Sequence, residues 1–256
     1  MIQEHVIVTA NREIKPEIQL LTFESSSLPS ISRPGQFVMV SCGCGQERLL
    51  RRPFSIHRVD ENSVSLLFAV VGGGTEWLAK RQKGEKLDIL GPLGNGFRLP
   101  ILPASLLLVA GGLGIAPLSF LAQMALQKGH QVTLLYGVRT ASQLVPIELL
   151  PDNLQLLIST EDGSSGEKGL VSSLIPSFAK QADRIYACGP LPMYRTISEV
   201  CSQDFIDKPV QISLEVRMGC GLGFCYACTI KTRQGLKQVC KDGPVFNLDD
   251  VILEEL

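Results

Sequence analysis

The sequence has 256 residues, 45% of them hydrophobic, and this length allows two modest domains with a further appendage. Its formal net charge is -1, and no run of lysine and arginine provides the positive surface that nucleic acids or anionic lipids require. The first stretch, MIQEHVIVTANREIKPE, becomes polar at once and lacks the apolar segment of a signal peptide. We therefore expect a cytoplasmic protein that binds neither nucleic acid nor a membrane.

The first segment, residues 1 to about 100, is predicted to consist of strands. The stretches HVIVTA, IQLLTFE, QFVMVSC, SVSLLFAVV and KLDILGP are rich in β-forming residues and are separated by turn residues. Strands at this spacing indicate a small antiparallel barrel. One helical piece, TEWLAKRQ, interrupts them, and Thr75 is its predicted N-cap.

Two stretches of this segment carry groups that suit a flavin nucleotide. In RRPFSIH, Arg52 can pair with a phosphate and Ser55 can bond the edge of a flavin ring. The alternative is an ordinary edge strand that contains Pro53. In VVGGGTEWL, Gly74 and Thr75 lie at a helix start, which makes a second possible phosphate site.

The stretch from Leu99 to Leu126 contains no charged residue and has the length of a membrane span. Prolines and glycines interrupt it, however, and a spanning helix would not carry so many of them. We expect instead a buried strand, SLLLVAG, then a glycine turn, and then a buried helix that begins near Ala116.

The second segment, about 101 to 209, alternates strand-like and helical stretches. The strand-like ones are LLLVAG, QVTLLYGV, LQLLIST and DRIYACGP, and the helical ones are PLSFLAQMALQKG, KGLVSSLIPSFAKQ and LPMYRTISEVCSQ. Such alternation indicates βαβ units and a parallel sheet that is covered on both faces.

Two turns of this segment are candidates for binding a nucleotide. GGLGIAP, Gly111 to Pro117, follows a buried strand and opens a helix, where a diphosphate meets free N–H groups. It lacks the strict G-x-G-x-x-G form and an acid at the expected ribose position, and a plain βα turn is the alternative. YACGP, Tyr186 to Pro190, ends a later strand, so both turns are expected at the carboxyl edge of the sheet. Cys188 then lies beside a nicotinamide ring or simply fills the strand end.

The third segment, from about 210 onward, carries four cysteines with the spacing C-x4-C-x2-C-x11-C: Cys220, Cys225, Cys228 and Cys240. Disulfides are disfavoured in a reducing compartment, and structural zinc usually takes two C-x2-C pairs where this segment has one. The spacing and the neighbouring glycines match the plant-type pattern of a [2Fe–2S] cluster, which is the favoured interpretation over zinc and over unligated thiols. Cys240 is expected on a β-hairpin that turns near Arg233-Gln234-Gly235.

Four other residues have simpler explanations. Cys42 and Cys44 lie at a strand end, and a C-x-C pair alone is a weak signal, so we interpret both as small packing residues. Cys201 is expected to pack on a helix. His57 can touch a flavin, but a lone histidine is more often a satisfied surface or core residue.

The order of these motifs along the chain resembles one family. The chain is similar to the ferredoxin reductase superfamily with a C-terminal [2Fe–2S] domain. The motifs that carry the similarity are, in order, R-P-F-S, G-G-G-T, G-G-L-G-I-A-P, C-G-P and the cysteine loop, which is followed by KDGPVF. Within it, the chain most resembles the electron transfer subunits of dihydroorotate dehydrogenase B, over essentially its whole length. The resemblance implies a multi-domain β plus α/β fold. It comprises an antiparallel FAD-binding barrel at 1–100, a parallel-sheet NAD-binding domain at 101–209 and a small cluster domain at 210–256.

The resemblance also implies residue roles and partners. FAD would contact Arg52, Pro53, Phe54, Ser55, Gly74 and Thr75; the nicotinamide nucleotide would contact Gly111, Gly112, Gly114, Pro117, Cys188, Gly189 and Pro190; the four cysteines would bind the cluster. The partner would be an FMN-containing catalytic subunit that oxidises dihydroorotate to orotate for pyrimidine biosynthesis, in a heterotetramer with two copies of each chain. Electron transfer needs no nucleophile, catalytic base or metal-bound water, and the sequence contains no obvious triad.

Three alternatives stay open at this point. Related subunits serve NAD(P)H-linked ferredoxin reductases and sulfhydrogenases, and a zinc-stabilised binding module without redox activity is the alternative from a different class. NADP is also open, because Arg139 can meet a 2′-phosphate or be a solvated loop charge. The resemblance favours NAD.

Overall fold

Six antiparallel strands close into a barrel in the first part of the chain. The fold comes from a computed structural model that describes residues 1–43, 49–203 and 208–256. In barrel order the strands are β1 (Ile2–Lys15), β2 (Ile18–Glu24), β5 (Ser63–Ala69), β4 (Arg52–Val59), β3 (Phe37–Val40) and β6 (Lys86–Leu93). Two short helices, α1 (Leu28–Ile31) and α2 (Gly73–Ala79), lie between them. The predicted barrel is confirmed, and Cys44 lies outside the described residues.

Strand β4 is open along one edge of its first half. Its residues Arg52–Ser55 pair with β3, while pairing with β5 begins only at Ile56. Pro53 has no N–H to donate, and because this part of β4 does not pair with β5, no hydrogen bond between the two strands is lost. The open edge exposes the first half of β4 to whatever occupies the adjacent crevice.

The start of helix α2 differs from the prediction. Gly72 is the N-cap, and Thr75 is the third residue of the helix. The Thr75 hydroxyl accepts hydrogen bonds from the backbone N of Val71 at 2.8 Å and of Gly72 at 3.1 Å. The prediction of Thr75 as N-cap was wrong because the permissive glycines extend the helix backward by one residue beyond Gly74.

A seven-stranded sheet forms the second part of the structure. Its order is β10 (Glu167–Lys168), β9 (Gln155–Thr160), β8 (Gln131–Val138), β7 (Ser105–Gly111), β11 (Arg184–Cys188), β12 (Val210–Ser213) and β15 (Val245–Asn247). All neighbours are parallel except β15, which pairs antiparallel with β12. Strands β12 and β15 both come from the segment predicted to hold the cluster, so that segment extends the sheet of the segment before it.

Helices cover both faces of this sheet, as predicted. They are α3 (Ile115–Gln127), α4 (Ile175–Ala179) and α5 (Leu191–Gln203). Successive residues of β7 alternate between two cores: Leu107 and Val109 pack with α4 and α5, while Leu106 and Leu108 pack with α3. The long helix expected over KGLVSSLIPSFAKQ is shorter, because a 3-10 turn at Val171–Leu174 precedes α4 and Pro176 starts it.

The cysteine segment contains the expected hairpin. Strands β13 (Thr229–Thr232) and β14 (Gly235–Gln238) pair antiparallel and turn at Arg233-Gln234. Cys240 lies just beyond them, on the short helix α6 (Val239–Asp242), which corrects the prediction that it belongs to the hairpin. Among the described residues, no helix combines the length and the apolar character needed to cross a membrane.

Helix α3 joins the barrel to the sheet. Its Gln123 side chain accepts from the backbone N of Val59 at 3.3 Å and donates to the Val59 carbonyl at 2.6 Å. Phe120, on the same helix, packs within the barrel core. His57 of β4 lies in this junction, 1% exposed, with Nδ1 3.3 Å from the carbonyl oxygen of Ala116. It is therefore a buried histidine at an interface and not part of the flavin crevice.

His57 gives the fold a pH dependence. Burial lowers the pKa of His57 to about 4, although its bond to the Ala116 carbonyl favours the charged ring. The neutral ring is the folded form, so its contribution is complete above the unfolded pKa near 6.5 and is lost as the pH falls toward 4. We expect the free energy of unfolding to fall by about 2 kcal/mol between pH 7.5 and pH 5 on this account.

Denaturant unfolding at the two pH values measures this loss. His57→Asn keeps a donor near the Ala116 carbonyl but cannot titrate, so its loss of stability between the two pH values should be smaller by about that amount. His5→Asn, on the exposed side of β1, is the control and should keep the wild-type loss. Equal losses in wild type and His57→Asn would contradict the assignment.

Candidate functional site

A cavity of about 780 Å³ separates the open edge of β4 from the sheet. The predicted residues Arg52, Pro53, Phe54, Ser55 and Thr75 line its barrel side. The opposite wall comes from Leu113 and Ala116 at the start of α3 and from the stretch 213–218 after β12. The structure therefore brings the two predicted flavin stretches together at one crevice, and its size suits a flat aromatic ring system.

Arg52 is placed to receive an anion in this cavity. Its Nη1 donates to the Leu50 carbonyl at 2.5 Å, and among the described residues no carboxylate pairs with it. A Cβ on Gly74 would lie 3.2 Å from Arg52 Nε, so the absence of a side chain at Gly74 gives the guanidinium its place. The neighbouring Arg51 is different, because it pairs with Asp88 at 2.5 Å. A guanidinium without a carboxylate partner, beside the helix start of Gly73–Ala79, fits a phosphate group.

Two further cavities, of about 380 and 580 Å³, lie at the carboxyl edge of the parallel strands. Gly111 and Pro190 line both of them, so the two predicted turns meet there. A Cβ on Gly112 would meet nothing within 4 Å, which leaves its backbone open to a ligand. The arrangement fits an extended dinucleotide across the point where the strand order reverses, between β7 and β11.

The other predicted residues of this site hold the turns together or line one cavity. Gly114 and Gly189 line the 580 Å³ cavity. A Cβ on Gly114 would lie 1.9 Å from the Cys188 carbonyl oxygen. Pro117 is buried in the first turn of α3, and the Cys188 side chain is fully buried. Burial raises the pKa of the Cys188 thiol well above its usual value. Neither Pro117 nor Cys188 lines any of these three cavities.

Sequence reasoning missed an acid at the 380 Å³ cavity. Glu161 directly follows β9 and lines this cavity together with Arg139 and Gln143. The expected ribose acid was sought after the glycine turn, whereas Glu161 comes from the end of a neighbouring strand. Its signal in the sequence is a carboxylate immediately after the strand LQLLIST. Opposite charges therefore face the same part of the nucleotide site.

Sequence reasoning also missed Glu215, which follows β12. Glu215 lines both the 580 Å³ cavity and the 780 Å³ cavity, so it lies where the two cavities adjoin. Beside it, the Tyr194 hydroxyl donates to the Ser213 carbonyl at 2.6 Å and accepts from Gly189 N at 3.0 Å. The signal was a charged residue two positions after the buried strand VQIS, at the carboxyl edge of the sheet.

The four predicted cysteines come together in two pairs. Cys228 Sγ accepts from the backbone N of Cys240 at 3.4 Å, and a Cβ on Gly219, the neighbour of Cys220, would lie 3.2 Å from Cys225 Sγ. Within the described ranges, no three His, Cys, Asp or Glu side chains converge as they would around a single ion. Two pairs of thiols match the demand of a [2Fe–2S] cluster, which takes two thiolates on each iron.

Backbone N–H groups surround these sulfurs. Cys220 Sγ accepts from Leu222 N at 3.3 Å and Phe224 N at 3.4 Å, and Cys228 Sγ accepts from Cys240 N at 3.4 Å. Burial alone raises the pKa of Cys220, but the backbone N–H groups around it outweigh burial and lower that pKa to about 6. Burial, together with the neighbouring Cys228, raises the pKa of Cys240 to about 12. The surroundings of Cys220 thus favour the thiolate that iron binds.

Glycines make the tight loop of the first pair possible. Gly221 and Gly223 have φ of +73° and +83°, which other residues rarely adopt. A Cβ on Gly221 would lie 2.7 Å from Met39 Cγ, so the loop packs closely against the barrel. The cluster loop is thereby fixed to the same barrel that lines the flavin cavity.

Comparisons with known proteins agree with this geometry. Residues 215–252 match the iron–sulfur cluster binding domain of dihydroorotate dehydrogenase B, and residues 108–199 match the oxidoreductase NAD-binding domain. The electron transfer subunit of dihydroorotate dehydrogenase B (NAD(+)) from Bacillus caldolyticus is 37% identical over 98% of this chain and 99% of that protein. The chain belongs to the family of dihydroorotate dehydrogenase B electron transfer subunits.

Other members and a solved structure extend this result. The family member from Geobacillus sp. (strain WCH70) is 38% identical over 99% of this chain and 100% of its own length. A structure of an NADH-dependent reduced ferredoxin–NADP oxidoreductase, described for flavin-based electron bifurcation, superposes with a TM-score of 0.86 at 28% identity. The superposition covers 98% of this chain and 91% of the chain in that structure. The barrel, the parallel sheet and the C-terminal cluster region thus form a ferredoxin reductase-like fold.

Proposed function

We propose that this chain is the electron transfer subunit of an NAD-linked dihydroorotate dehydrogenase, which exchanges electrons between NAD+ and an FMN-carrying catalytic subunit. The observation that carries the proposal is the pairing of the four cysteines inside the stretch 215–252, which matches the family's cluster-binding domain. Met218, two residues before Cys220, lines the flavin cavity, so cavity and cysteine loop are joined by a short piece of chain. Such closeness is what electron transfer between bound carriers requires.

The chain's own residues bind and orient three groups. When bound, FAD supplies exchange between two-electron and one-electron chemistry, and a [2Fe–2S] cluster carries single electrons. FAD is held by Arg52, Pro53, Phe54, Ser55, Gly74 and Thr75. The NAD site is formed or supported by Gly111, Gly112, Gly114, Pro117, Cys188, Gly189 and Pro190. The cluster is held by Cys220, Cys225, Cys228 and Cys240. The corresponding units are 1–100 for FAD, 101–209 for NAD and 210–256 for the cluster, with β12 and β15 tying the last unit to the sheet.

The surface beside the cysteine loop is the proposed docking site of the catalytic subunit. Phe224 is 79% exposed and Tyr226 is 70% exposed, each next to Cys225. Tyr226 has φ of +59°, an unusual backbone conformation for a residue other than glycine. Two exposed aromatic rings beside an electron carrier suit a partner that must approach it closely. The proposed assembly contains two copies of each chain and is cytoplasmic.

Co-purification with the partner tests the proposal. We expect the tagged chain to capture a subunit that contains FMN, and the complex to oxidise dihydroorotate with NAD+. The visible spectrum of the complex should contain both flavin and iron–sulfur absorption. A captured partner with additional iron–sulfur clusters and no FMN would favour the ferredoxin reductase or sulfhydrogenase alternative. A colourless protein that contains zinc would contradict the redox proposal altogether.

Arg52→Ala is expected to lower FAD occupancy. The substitution removes the free guanidinium at the flavin cavity, and a charge-assisted hydrogen bond to phosphate contributes about 1.5–3 kcal/mol, so FAD affinity should fall by about ten- to a hundredfold. Flavin released from the denatured protein measures occupancy. Arg51→Ala is the matched control, because Arg51 is engaged by Asp88, and it should keep its FAD. Full flavin content in Arg52→Ala would contradict the phosphate role.

Glu215→Gln is expected to weaken NAD+ more than NADH. The oxidised nicotinamide ring is cationic, and a carboxylate between the two cavities favours it over the neutral reduced ring. We expect KM for NAD+ to rise about tenfold, a change of about 1.4 kcal/mol, with a smaller change for NADH. Glu255→Gln is the control, since Glu255 lines the same cavity but pairs with Lys231 at 2.7 Å. Equal changes for both nucleotides would exclude the charge effect.

A further inference from the structure

We infer that Gln238 donates a side-chain hydrogen bond to a sulfur atom of the bound cluster and thereby raises the cluster's reduction potential. Gln238 is the last residue of β14 and is 8% exposed. Its amide nitrogen Nε2 is buried and has no hydrogen-bond partner among the described residues. A buried N–H group without an acceptor is destabilising, so a native protein rarely keeps one unless a bound group completes it.

The position of Gln238 places its amide among the proposed cluster ligands. In the hairpin it pairs with Thr229, which directly follows Cys228, and Val239 N donates to the Cys228 carbonyl at 3.0 Å. Cys240 lies two residues further along the chain. Gln238 is therefore flanked by both members of the second cysteine pair.

The side chain also reaches the loop of the first pair. Oε1 of Gln238 would lie 2.9 Å from a Cβ on Gly223, between Cys220 and Cys225. The amide of Gln238 thus lies against the loop that carries Cys220 and Cys225, while its backbone lies between Cys228 and Cys240, and sulfur of the cluster is the acceptor that its free N–H groups lack.

Two contacts hold the end of β14 beside the loop of Gly223. The aliphatic part of Lys241 lies against Gly223 as well, with Cδ 2.8 Å from the same Cβ position. The backbone N of Gln238 donates to Asp242 Oδ2 at 2.7 Å, which holds the end of the strand. The backbone of Gln238 is accordingly held in place, and its largely buried side chain starts from a fixed point beside the loop.

The expected consequence is electrostatic. Reduction adds one negative charge to the cluster, and an N–H donor to its sulfur stabilises the reduced form more than the oxidised form. Gln238 should therefore hold the potential less negative than the loop's backbone donors alone would. This inference rests on the cluster site of the proposed function and adds a residue that sets how readily that site accepts an electron.

A redox titration of the holoprotein, followed by electron paramagnetic resonance, tests this role. Gln238→Met keeps the length of the side chain without a donor, and its midpoint potential should be more negative than that of wild type. Gln238→Glu adds a negative charge, so its midpoint potential should be more negative than that of Gln238→Met. Gln234→Met, at the exposed hairpin turn, is the matched control and should keep the wild-type potential. A wild-type potential in a fully loaded Gln238→Met protein would overturn the inference.

A second measurement does not depend on the midpoint potential. Wild-type protein labelled with 15N only at glutamine side-chain amides should give a 15N hyperfine coupling in the reduced state, and the same coupling should persist in Gln234→Met. No such coupling would overturn the role of Gln238 while leaving the proposed function intact. Protein that contains neither iron nor sulfide would instead overturn both the inference and the proposed function on which it rests.

Discussion

Cys225→Ser is expected to abolish electron transfer to the partner while leaving the chemistry of flavin and nucleotide in place. Serine oxygen is a harder and far less acidic ligand than thiolate sulfur, so one iron loses a ligand and the cluster should not assemble. Cys225 lines none of the three described cavities that we assign to FAD and NAD. Reduction of an artificial dye by NADH, which needs only those cavities, should therefore continue near the wild-type rate.

Three measurements on one preparation test this separation. Iron and acid-labile sulfide should fall to background in Cys225→Ser, flavin content should be unchanged, and oxidation of dihydroorotate with NAD+ in the complex should be lost. Cys201→Ser, on helix α5, is the control and should retain all activities. Retention of both the dye activity and the complete reaction by Cys225→Ser would show that the ligand assignment is wrong.

The local patterns that depend on neighbouring residues could be predicted from the sequence. The strands SLLLVAG and QVTLLYGV have the predicted bounds, Ser105–Gly111 and Gln131–Val138, because a continuous apolar run between turn residues is a strong signal of a buried parallel strand. The cysteine spacing predicted four thiols in one place, and the structure pairs them. The resemblance added what spacing alone left open, the family and its cofactors.

What the sequence could not give were contacts between distant stretches. Glu161 and Glu215 each follow a strand, and nothing near either residue in the chain indicates which cavity it lines. Helix starts were also imprecise, since Gly72 and Thr75 are both acceptable near an N-terminus and tertiary packing decides between them. Cys188 was expected to face a ligand or fill the strand end, and its full burial follows only from how α3 packs against β11.

That packing gives the second large effect, which is expected for Gly114→Ala. A Cβ at position 114 would lie 1.9 Å from the Cys188 carbonyl oxygen and 2.4 Å from its carbonyl carbon, and backbone atoms cannot move aside cheaply. The φ of Gly114, -58°, is one that alanine adopts readily, so the whole cost is steric. Overpacking typically costs about 1–3 kcal/mol, and this contact with backbone should reach the upper end of that range.

Gly112→Ala separates this steric cost from a conformational one. Gly112 has φ of +55° and open space where a Cβ would lie, so alanine there should cost only the left-handed penalty of about 1–2 kcal/mol. Gly114→Ala should be the more destabilised variant in denaturant unfolding of the holoprotein. It should also lose NADH affinity, because relief of the clash moves the start of α3 away from Cys188 and Gly189 and so pulls apart the two turns that frame the nucleotide. Equal stabilities for the two variants would mean that the turns do not touch as the structure describes.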